Sequence, residues 1–334
     1  MKTIQIASPG GPFQLVDREI PKPKPDWVRI RVEACGVCHS DSLLKEGQWP
    51  GVQYPRVPGH EIAGVIDELG SNVTTWKKGQ RVGVGWYGGH DGTCIACRRG
   101  ELVNCHNAGI TGFTFDGGYS EYMVAPAQTL AAIPDSLSAQ DAAPLMCAGI
   151  TTFNALRHSG AMPPDLVAIQ AIGGLGHLAI QYASKLGYRT VAISRGDDAK
   201  DLALKLGAHV YINSDATKPA DELRRMGGAR AILSTAPSGK AMSAMIDCLG
   251  DNGKLIVIGA AGDPIEVAPA QLITGMKSIQ GWYSGNAADS EDTLAFSALT
   301  GVRPMIETFP LAQVEKAYER MMSGKARFRV VLTM

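Results

Sequence analysis

Short stretches of alternating apolar and polar residues dominate the first 130 positions and predict a β-rich region. The clearest alternation spans residues 28–34, where four apolar side chains are interleaved with two arginines and a glutamate. Similar patterns at 62–69 and 81–84, separated by glycine-rich turns, predict further strands. The Pro-Lys-Pro-Lys-Pro run at 21–25 predicts a stiff, extended approach to the first of these strands.

Apolar positions take helical spacing between residues 138 and 156. Ser138, followed three residues later by Asp141, is typical of a helix N-terminus, because the serine hydroxyl can accept the N–H of the third helical residue. A cysteine inside such an apolar helix, here Cys147, is ordinarily a core thiol. It becomes a metal ligand only if this helix faces other ligands.

Beyond residue 165, short apolar runs alternate with helical segments. We predict five strands at residues 166–171, 190–193, 209–212, 229–233 and 254–258. Helices are predicted between them. Such alternation predicts a parallel sheet with helices on both faces. It stops near residue 285, after which the pattern predicts an amphipathic helix at 311–322 and a closing strand at 326–332.

A glycine-rich turn joins the first predicted strand of this region to its helix. Gly173 and Gly176 match two of the three glycines of a dinucleotide-binding turn, whereas Ala171 replaces the first. The N–H groups at the start of a helix can bind a pyrophosphate, and a methyl group at position 171 does not block them. The turn therefore predicts dinucleotide binding.

The residues expected at the adenosine ribose favour NADP(H) over NAD(H). About 20 residues after the glycine turn, where NAD-binding chains place an acid, the second strand ends in Ser194-Arg195. A hydroxyl and a guanidinium suit a 2′-phosphate. The alternative is that Arg195 is an ordinary solvent-facing arginine.

Two short stretches near residues 38 and 60 combine side chains that bind zinc. Cys38 and His60 supply a thiolate and an imidazole, a mixture that Zn²⁺ prefers. A hydroxyl, Ser40, and two carboxylates, Asp41 and Glu61, stand close to them in the chain, and the carboxylates could orient or relieve the ligands. The alternative is a buried thiol and an unrelated surface histidine.

A second cysteine cluster lies in a glycine-rich, loop-like segment. Cys94, Cys97 and Cys105 have a spacing that lets three thiolates converge on one tetrahedral ion. The fourth ligand would be Asp91 or the neighbouring His90, and an aspartate keeps the charge that a fourth thiolate would carry. The alternative is that the three cysteines are free thiols.

Charge and composition exclude several classes of function. Lys plus Arg and Asp plus Glu both total 32, so the net charge gives no sign of a nucleic-acid or anionic-membrane partner. The most apolar stretch is too short to span a bilayer, and the N-terminus lacks the apolar run of a signal peptide. Seven cysteines, an odd number in a large chain, favour metal ligands in a reducing compartment, and we expect a cytoplasmic protein.

In the order and spacing of its motifs, nearly the whole chain resembles the zinc-dependent medium-chain alcohol dehydrogenases, especially their NADP-linked bacterial and cinnamyl-alcohol-dehydrogenase-like branch. The matching motifs are Gly36–Asp41, Gly59–Glu61, the three-cysteine loop, Cys147–Gly149 and Gly173–His177. The resemblance implies an α/β fold with a GroES-like, β-rich catalytic domain and a Rossmann doubly wound parallel-sheet NAD(P)-binding domain. The first would span residues 1–148 and 285–334, and the second residues 149–284.

The resemblance also implies roles for the residues of the zinc site. Catalytic zinc would be bound by Cys38, His60 and Cys147. Asp41 would accept a hydrogen bond from the His60 imidazole, and Glu61 could approach the open coordination position. Ser40 would receive the alcohol proton and pass it towards the nicotinamide ribose. A second, structural zinc would be held in the three-cysteine loop by Asp91, Cys94, Cys97 and Cys105.

The cofactor and substrate contacts are implied in the same way. The cofactor would be bound by His39, Thr151, Gly173, Gly174, Leu175, Gly176, Ser194, Arg195 and Arg329. Trp49 and Trp86 fall where relatives line the substrate pocket, with core packing as the alternative. Leu43 departs from the family, because many relatives have a histidine there that completes the proton relay; the relay would end instead in a ribose hydroxyl, a water or Ser42.

The implied activity is hydride transfer between NADP(H) and a small alcohol or its aldehyde or ketone, in a homodimer or homotetramer. A zinc-independent quinone or enone reductase of the same fold is one alternative, and it would not need Cys38, His60 or Cys147. A non-enzymatic dinucleotide-binding protein is another, and it could lose Ser40 as well.

Overall fold

A computed structural model describes all 334 residues, which form two compact units. The first unit consists of Met1–Ile150 and Gly285–Met334, and the second of Thr151–Ser284. The second unit is therefore an insertion in the chain of the first. None of the helices combines the length and the apolar character that crossing a membrane requires.

The chain contains 15 strands and 11 α-helices. The strands are β1 (Lys2–Ile6), β2 (Phe13–Asp17), β3 (Trp27–Val37), β4 (Ile62–Leu69), β5 (Arg81–Val84), β6 (Tyr122–Pro126), β7 (Leu130–Ala132), β8 (Leu166–Gln170), β9 (Arg189–Ser194), β10 (Val210–Asn213), β11 (Ala229–Ser234), β12 (Leu249–Val257), β13 (Ser278–Gly281), β14 (Ile306–Pro310) and β15 (Arg329–Thr333). The helices are α1 (Asp41–Lys45), α2 (Ile95–Arg98), α3 (Ala139–Pro144), α4 (Ile150–Arg157), α5 (Gly176–Lys185), α6 (Lys200–Lys205), α7 (Pro219–Arg225), α8 (Gly239–Ser243), α9 (Pro269–Ile273), α10 (Ala287–Thr300) and α11 (Val314–Met322).

The first unit is built on a sheet with the strand order β14-β15-β3-β4-β5-β7, in which β6 also pairs with β3. All pairs are antiparallel except β14 with β15. The predicted alternation in β3 buries Val28, Ile30 and Val32 in the core. The predictions for 62–69 and 81–84 are confirmed by β4 and β5, and β3 continues to Val37, the residue before Cys38.

The second unit contains a six-stranded parallel sheet with the order β10-β9-β8-β11-β12-β13, which confirms the predicted doubly wound fold. The strand order reverses between β8 and β11, at the position where such sheets bind nucleotides. The sixth strand, β13, is not predicted from the sequence. It is short and mostly exposed, so it lacks the apolar run that marks the other five.

The continuous helix predicted over 138–156 is wrong in one respect, because it is interrupted by a π-helical turn at Leu145–Gly149. Its N-terminus is confirmed: the Ser138 hydroxyl accepts the Asp141 N–H at 3.0 Å. Pro144 ends α3, and because proline has no N–H it removes one bond of the α-helical ladder immediately before the π turn. The helix predicted between the strands at 229–233 and 254–258 is short, since α8 ends at Ser243 and a 3₁₀ turn follows at Ile246–Cys248.

Candidate functional site

Cys38 lies in the turn between β3 and α1, where a buried aspartate fixes its backbone. Asp41 is 0% exposed, and its Oδ2 accepts the Cys38 N–H at 2.9 Å. Ser40 is the N-cap residue of α1, and its Oγ lies 3.7 Å from Cys38 Sγ. The turn therefore places a thiol and a hydroxyl side by side.

His60 comes from the loop that precedes β4, and its imidazole is fully buried. Nδ1 lies 3.2 Å from Asp41 Oδ1 in an ion-pair contact, and neither ring nitrogen has a hydrogen-bond partner. A buried polar atom without a partner destabilises the fold unless it binds something. Nε2 is therefore available to coordinate a metal ion, and Asp41 connects His60 to the Cys38 turn.

Cys147 lies in the π-helical turn, where its Sγ is 3.9 Å from Cys38 Sγ. Two thiolates on one tetrahedral zinc ion, each bound at about 2.3 Å, would lie about 3.8 Å apart. One ligand atom from each of Cys38, His60, Glu61 and Cys147 falls within 4.8 Å of the others. The donor set and its spacing therefore fit zinc.

Glu61 follows His60 and forms a buried ion pair with Arg329 on β15. Burial raises the pKa of the Glu61 carboxyl to about 7, while the Arg329 guanidinium opposes that rise. The Glu61 Oε2 has no protein partner. Arg329, which the resemblance places at the cofactor phosphate, thus binds the carboxylate beside the thiols, and one oxygen of that carboxylate is left unpaired.

The charges around the two thiols favour a thiolate at Cys38. Contact with the Cys147 thiol lowers the pKa of Cys38 well below its usual range, and the positive charges of His60 and Arg329 act in the same direction. Burial lowers the pKa of His60, but Asp41 and the Cys38 thiolate outweigh it and raise that pKa. Because the thiolate is the form of cysteine that binds metals, this environment suits a cation.

An aromatic cluster packs beside His60. Trp49 and Trp86 form an edge-to-face pair with ring centroids 5.8 Å apart, and Phe113 contacts both rings. The Trp86 ring also meets the His60 imidazole edge to face at 4.9 Å. Leu43 packs on the same cluster. Trp86 is only 8% exposed, so most of its surface belongs to the core, whereas Trp49 is half-buried.

The structure also brings the three cysteines of the loop together. Cys94 Sγ lies 3.5 Å from Cys97 Sγ and 3.9 Å from Cys105 Sγ. A carboxylate oxygen of Asp91 joins these sulfurs in a group whose ligand atoms all lie within 4.8 Å of one another. The four side chains therefore offer a second tetrahedral donor set.

Asp91 and His90 have different surroundings. Asp91 accepts two backbone N–H groups, at 2.8 and 2.9 Å, and the Asn107 amide at 2.6 Å. These hydrogen bonds hold the pKa of Asp91 well below its usual range, so its carboxylate is ionised. His90 Nδ1 contacts the Tyr87 hydroxyl instead of the sulfurs. The geometry therefore favours Asp91 as the fourth ligand.

The glycine-rich turn follows β8 in the second unit. Ala171 has φ +69°, a left-handed conformation that glycine adopts more readily. A Cβ atom at Gly176, the first residue of α5, would lie 1.9 Å from the Ala171 carbonyl oxygen, so only glycine fits there. Gly173, Gly174 and Leu175 complete the turn and are partly exposed. This close approach is the geometry that a dinucleotide-binding turn requires.

The loop after β9 carries the residues predicted to bind a 2′-phosphate. Ser194 ends the strand, and the Arg195 side chain is exposed. Gly196 is held from both sides, because its N–H donates to Asp215 at 3.1 Å and its carbonyl accepts the Tyr211 hydroxyl at 2.6 Å. Of the remaining cofactor candidates, His39 is exposed after Cys38, and Thr151 lies in α4.

Two contacts around the candidate zinc ligands are not predicted from the sequence. One is the Glu61–Arg329 ion pair, which joins residues 268 positions apart. The other is the Tyr119 hydroxyl, which donates to Asp41 at 2.8 Å from 78 positions away. The only sequence signal for Tyr119 is its position after two glycines, and that signal predicts a turn rather than a contact.

Two family models match the chain. One, described as an alcohol dehydrogenase GroES-like domain, matches residues 24–135, and the other, described as a zinc-binding dehydrogenase, matches residues 174–299. An alcohol dehydrogenase of Penicillium expansum, patD, is 46% identical over 325 residues, which cover 97% of this chain and 95% of that protein.

Solved structures extend the similarity to the whole fold. A structure described as an NAD-dependent alcohol dehydrogenase superposes with a TM-score of 0.92 at 26% identity and covers 100% of both chains. A Helicobacter pylori CAD in complex with NADP(H) superposes with a TM-score of 0.88 at 28% identity, covering 100% of this chain and 97% of that one. The description of the first structure thus names NAD, whereas that of the second names NADP(H).

Proposed function

Because the chain belongs to the zinc-dependent medium-chain alcohol dehydrogenase family, whose chemistry is alcohol and aldehyde oxidoreduction, we propose that it interconverts a primary or secondary alcohol and its aldehyde or ketone with NADP(H). The observation that carries the proposal is the convergence of Cys38, His60 and Cys147, with the buried His60 Nε2 unpartnered and the two sulfurs 3.9 Å apart.

The three residues Cys38, His60 and Cys147 would hold the catalytic ion. Zinc in such a site polarises an alcohol or carbonyl oxygen and lowers the pKa of a bound alcohol towards neutrality. Asp41 orients the His60 ring from the Nδ1 side, which leaves Nε2 for the metal. Glu61 pairs with Arg329, and its other carboxylate oxygen is buried without a protein partner. This carboxylate is the candidate that could replace one of the ligands on the metal ion.

We propose that Ser40 accepts the proton that the alcohol hydroxyl loses. Its Oγ lies 3.7 Å from Cys38 Sγ, and thus beside the metal ligands. Leu43, which packs in the aromatic cluster, can neither accept nor donate a proton, so Ser40 must pass the proton to a cofactor hydroxyl, a water or Ser42. Trp49 and Trp86 would form the apolar wall for the substrate carbon chain.

NADP(H) supplies or accepts the hydride at its nicotinamide ring. The turn from Gly173 to Gly176 would bind its pyrophosphate at the start of α5, and Ser194 with Arg195 would bind the 2′-phosphate. His39, Thr151 and Arg329 complete the proposed cofactor contacts. In this proposal residues 149–284 form the cofactor domain, and residues 1–148 with 285–334 form the catalytic domain.

We also propose a second zinc ion, a homo-oligomeric assembly and a cytoplasmic location. Asp91, Cys94, Cys97 and Cys105 would hold a structural zinc, supported by their mutual distances. A homodimer or homotetramer is supported by Ile273 and Met276, which are 75% and 72% exposed immediately before the edge strand β13. Seven unpaired cysteines support a reducing, cytoplasmic setting.

The test is an assay of aldehyde reduction and alcohol oxidation with both nicotinamide cofactors, combined with metal analysis. We expect NADPH-dependent turnover that Cys38→Ser and His60→Ala abolish while NADPH binding survives. Turnover retained by either variant, with the catalytic metal verified absent, would support the zinc-independent quinone or enone reductase. Cofactor binding without turnover on any carbonyl substrate would favour a non-enzymatic dinucleotide-binding protein.

A further inference from the structure

One buried tyrosine contacts two of the three stretches that carry the proposed zinc ligands, those of Cys38 and His60. Tyr119 is 0% exposed, and its hydroxyl donates to Asp41 Oδ2 at 2.8 Å. The same oxygen accepts the Cys38 N–H at 2.9 Å, while the other Asp41 oxygen lies 3.2 Å from His60 Nδ1. The phenol therefore donates to a carboxylate that touches two of the proposed ligand residues.

The aromatic ring of Tyr119 makes the second contact. Gly59, the residue before His60, has φ +101°, and a Cβ atom there would lie 2.4 Å from Tyr119 Cδ1. The ring thus packs directly on the backbone that carries His60. The Tyr119 backbone is itself tied on two sides, since its N–H donates to the Pro58 carbonyl at 3.0 Å and its carbonyl accepts the Ile4 N–H at 2.8 Å.

We propose that Tyr119 is a positioning residue for the catalytic metal. Its hydroxyl fixes the Asp41 carboxylate, and that carboxylate sets the orientation of His60 relative to Cys38. This inference rests on the proposed function, in which Cys38, His60 and Cys147 bind zinc. Loss of an outer partner of a metal-ligating histidine typically weakens metal binding about 10–100-fold.

The principal experiment compares metal release from wild type and Tyr119→Phe. Zinc-loaded protein is mixed with a chromophoric chelator, and the phase that is missing in Cys38→Ser is assigned to the catalytic site. We expect Tyr119→Phe to lower zinc affinity there by about 10–100-fold and to shift the visible absorption of the Co²⁺-substituted site. Tyr188→Phe is the matched control, because Tyr188 is also a buried phenol, bonded to a backbone carbonyl in the second unit.

A second pair of variants separates the hydroxyl from the ring. Placing 4-aminophenylalanine at position 119 keeps the ring and restores an N–H donor for Asp41. Placing 4-methylphenylalanine keeps the ring and the volume but offers no donor. We expect the amino variant to hold zinc close to wild type and the methyl variant to resemble Tyr119→Phe. This comparison remains decisive if Tyr119→Phe folds poorly.

The outcomes distinguish this inference from the proposed function. If wild type shows no release phase that depends on Cys38, the proposed zinc site and the role of Tyr119 both fall. If wild type shows that phase but Tyr119→Phe matches Tyr188→Phe in affinity and in Co²⁺ absorption, only the positioning role is overturned. Equal zinc affinity in the amino and methyl variants overturns it as well.

Discussion

Ala171 holds a backbone conformation that suits glycine better than alanine. Its φ of +69° is left-handed, which costs an L-residue about 1–2 kcal/mol. Glycine would remove that strain. Its greater conformational freedom in the unfolded chain would offset about 0.4–1 kcal/mol of the gain in stability. We expect Ala171→Gly to raise the free energy of unfolding by about 0.5–1 kcal/mol, measured by urea titration. Ala168→Gly, inside β8, should be destabilising, and a loss of stability in Ala171→Gly would contradict the strain argument.

Arg195 should determine cofactor choice from its exposed position after β9. A charge-assisted hydrogen bond to a 2′-phosphate is worth roughly 1–3 kcal/mol, so Arg195→Ala should lose about that much of the NADPH preference. The measurement is the ratio of kcat/KM for NADPH and NADH. Arg189→Ala, which removes another exposed arginine at the opposite end of β9, should leave the ratio unchanged. Equal use of both cofactors by the wild type would refute the prediction.

The sequence identifies candidate site residues where the chemistry depends on residue type and short spacing. Cys38, His60 and the three loop cysteines are recognisable as candidate zinc ligands because zinc restricts its ligands to few residue types. Tyr119 and the pairing of Arg329 with Glu61 are not recognisable in the same way. Each depends on which distant segments the sheet places together, and a tyrosine or an arginine has many ordinary uses.

Among the elements, the π-helical turn determines where Cys147 lies. Gly85 follows β5, and a Cβ atom there would lie 2.5 Å from the Met146 carbonyl oxygen in that turn. We expect Gly85→Ala to displace the turn and to lower zinc occupancy at the catalytic site more than it lowers the melting temperature. Gly262→Ala, where a Cβ meets nothing within 4 Å, is the control. Unchanged metal content in Gly85→Ala would show that the turn tolerates the shift.

The start of α8 should make the stability of the protein depend on pH. Asp263 accepts the N–H groups of Gly239 and Lys240 at 2.8 and 2.9 Å, and these bonds lower the pKa of its carboxyl below the usual 3.8. Because the folded pKa is the lower one, the stabilisation is complete above the unfolded pKa and is lost as the pH falls through the folded value. Wild type should therefore exceed Asp263→Asn in melting temperature near neutral pH, and the difference should shrink below about pH 4. A difference independent of pH would exclude this linkage.

The element boundaries show where pattern reasoning succeeds. Strands β4 and β5 match their predicted bounds because each alternation is bounded by glycine-rich turns. The π turn escapes prediction because the apolar residues before, within and after it keep nearly helical spacing. Strand β13 escapes because an exposed edge strand needs no apolar run.

A metal ion bound in the three-cysteine loop should contribute to the stability of the protein rather than to its chemistry. A zinc ion held by Asp91, Cys94, Cys97 and Cys105 would clamp a loop that has few apolar side chains to bury. We expect fully metallated protein to contain two zinc ions per chain and Cys97→Ser to contain one. The variant should lose thermal stability before it loses kcat. One zinc in wild type, with all three loop cysteines reactive to a thiol reagent, would exclude a metal here.

The division of the first unit between two chain segments bears on how the protein matures during synthesis. Strand β15 lies between β14 and β3 in the sheet, and it contributes Arg329 to the pair with Glu61. Cys38, His60 and Cys147 leave the ribosome well before residues 329–333 do. The sheet that supports them cannot be completed until those last strand residues have been translated. The pair between Glu61 and Arg329 can therefore form only after β15 has been translated.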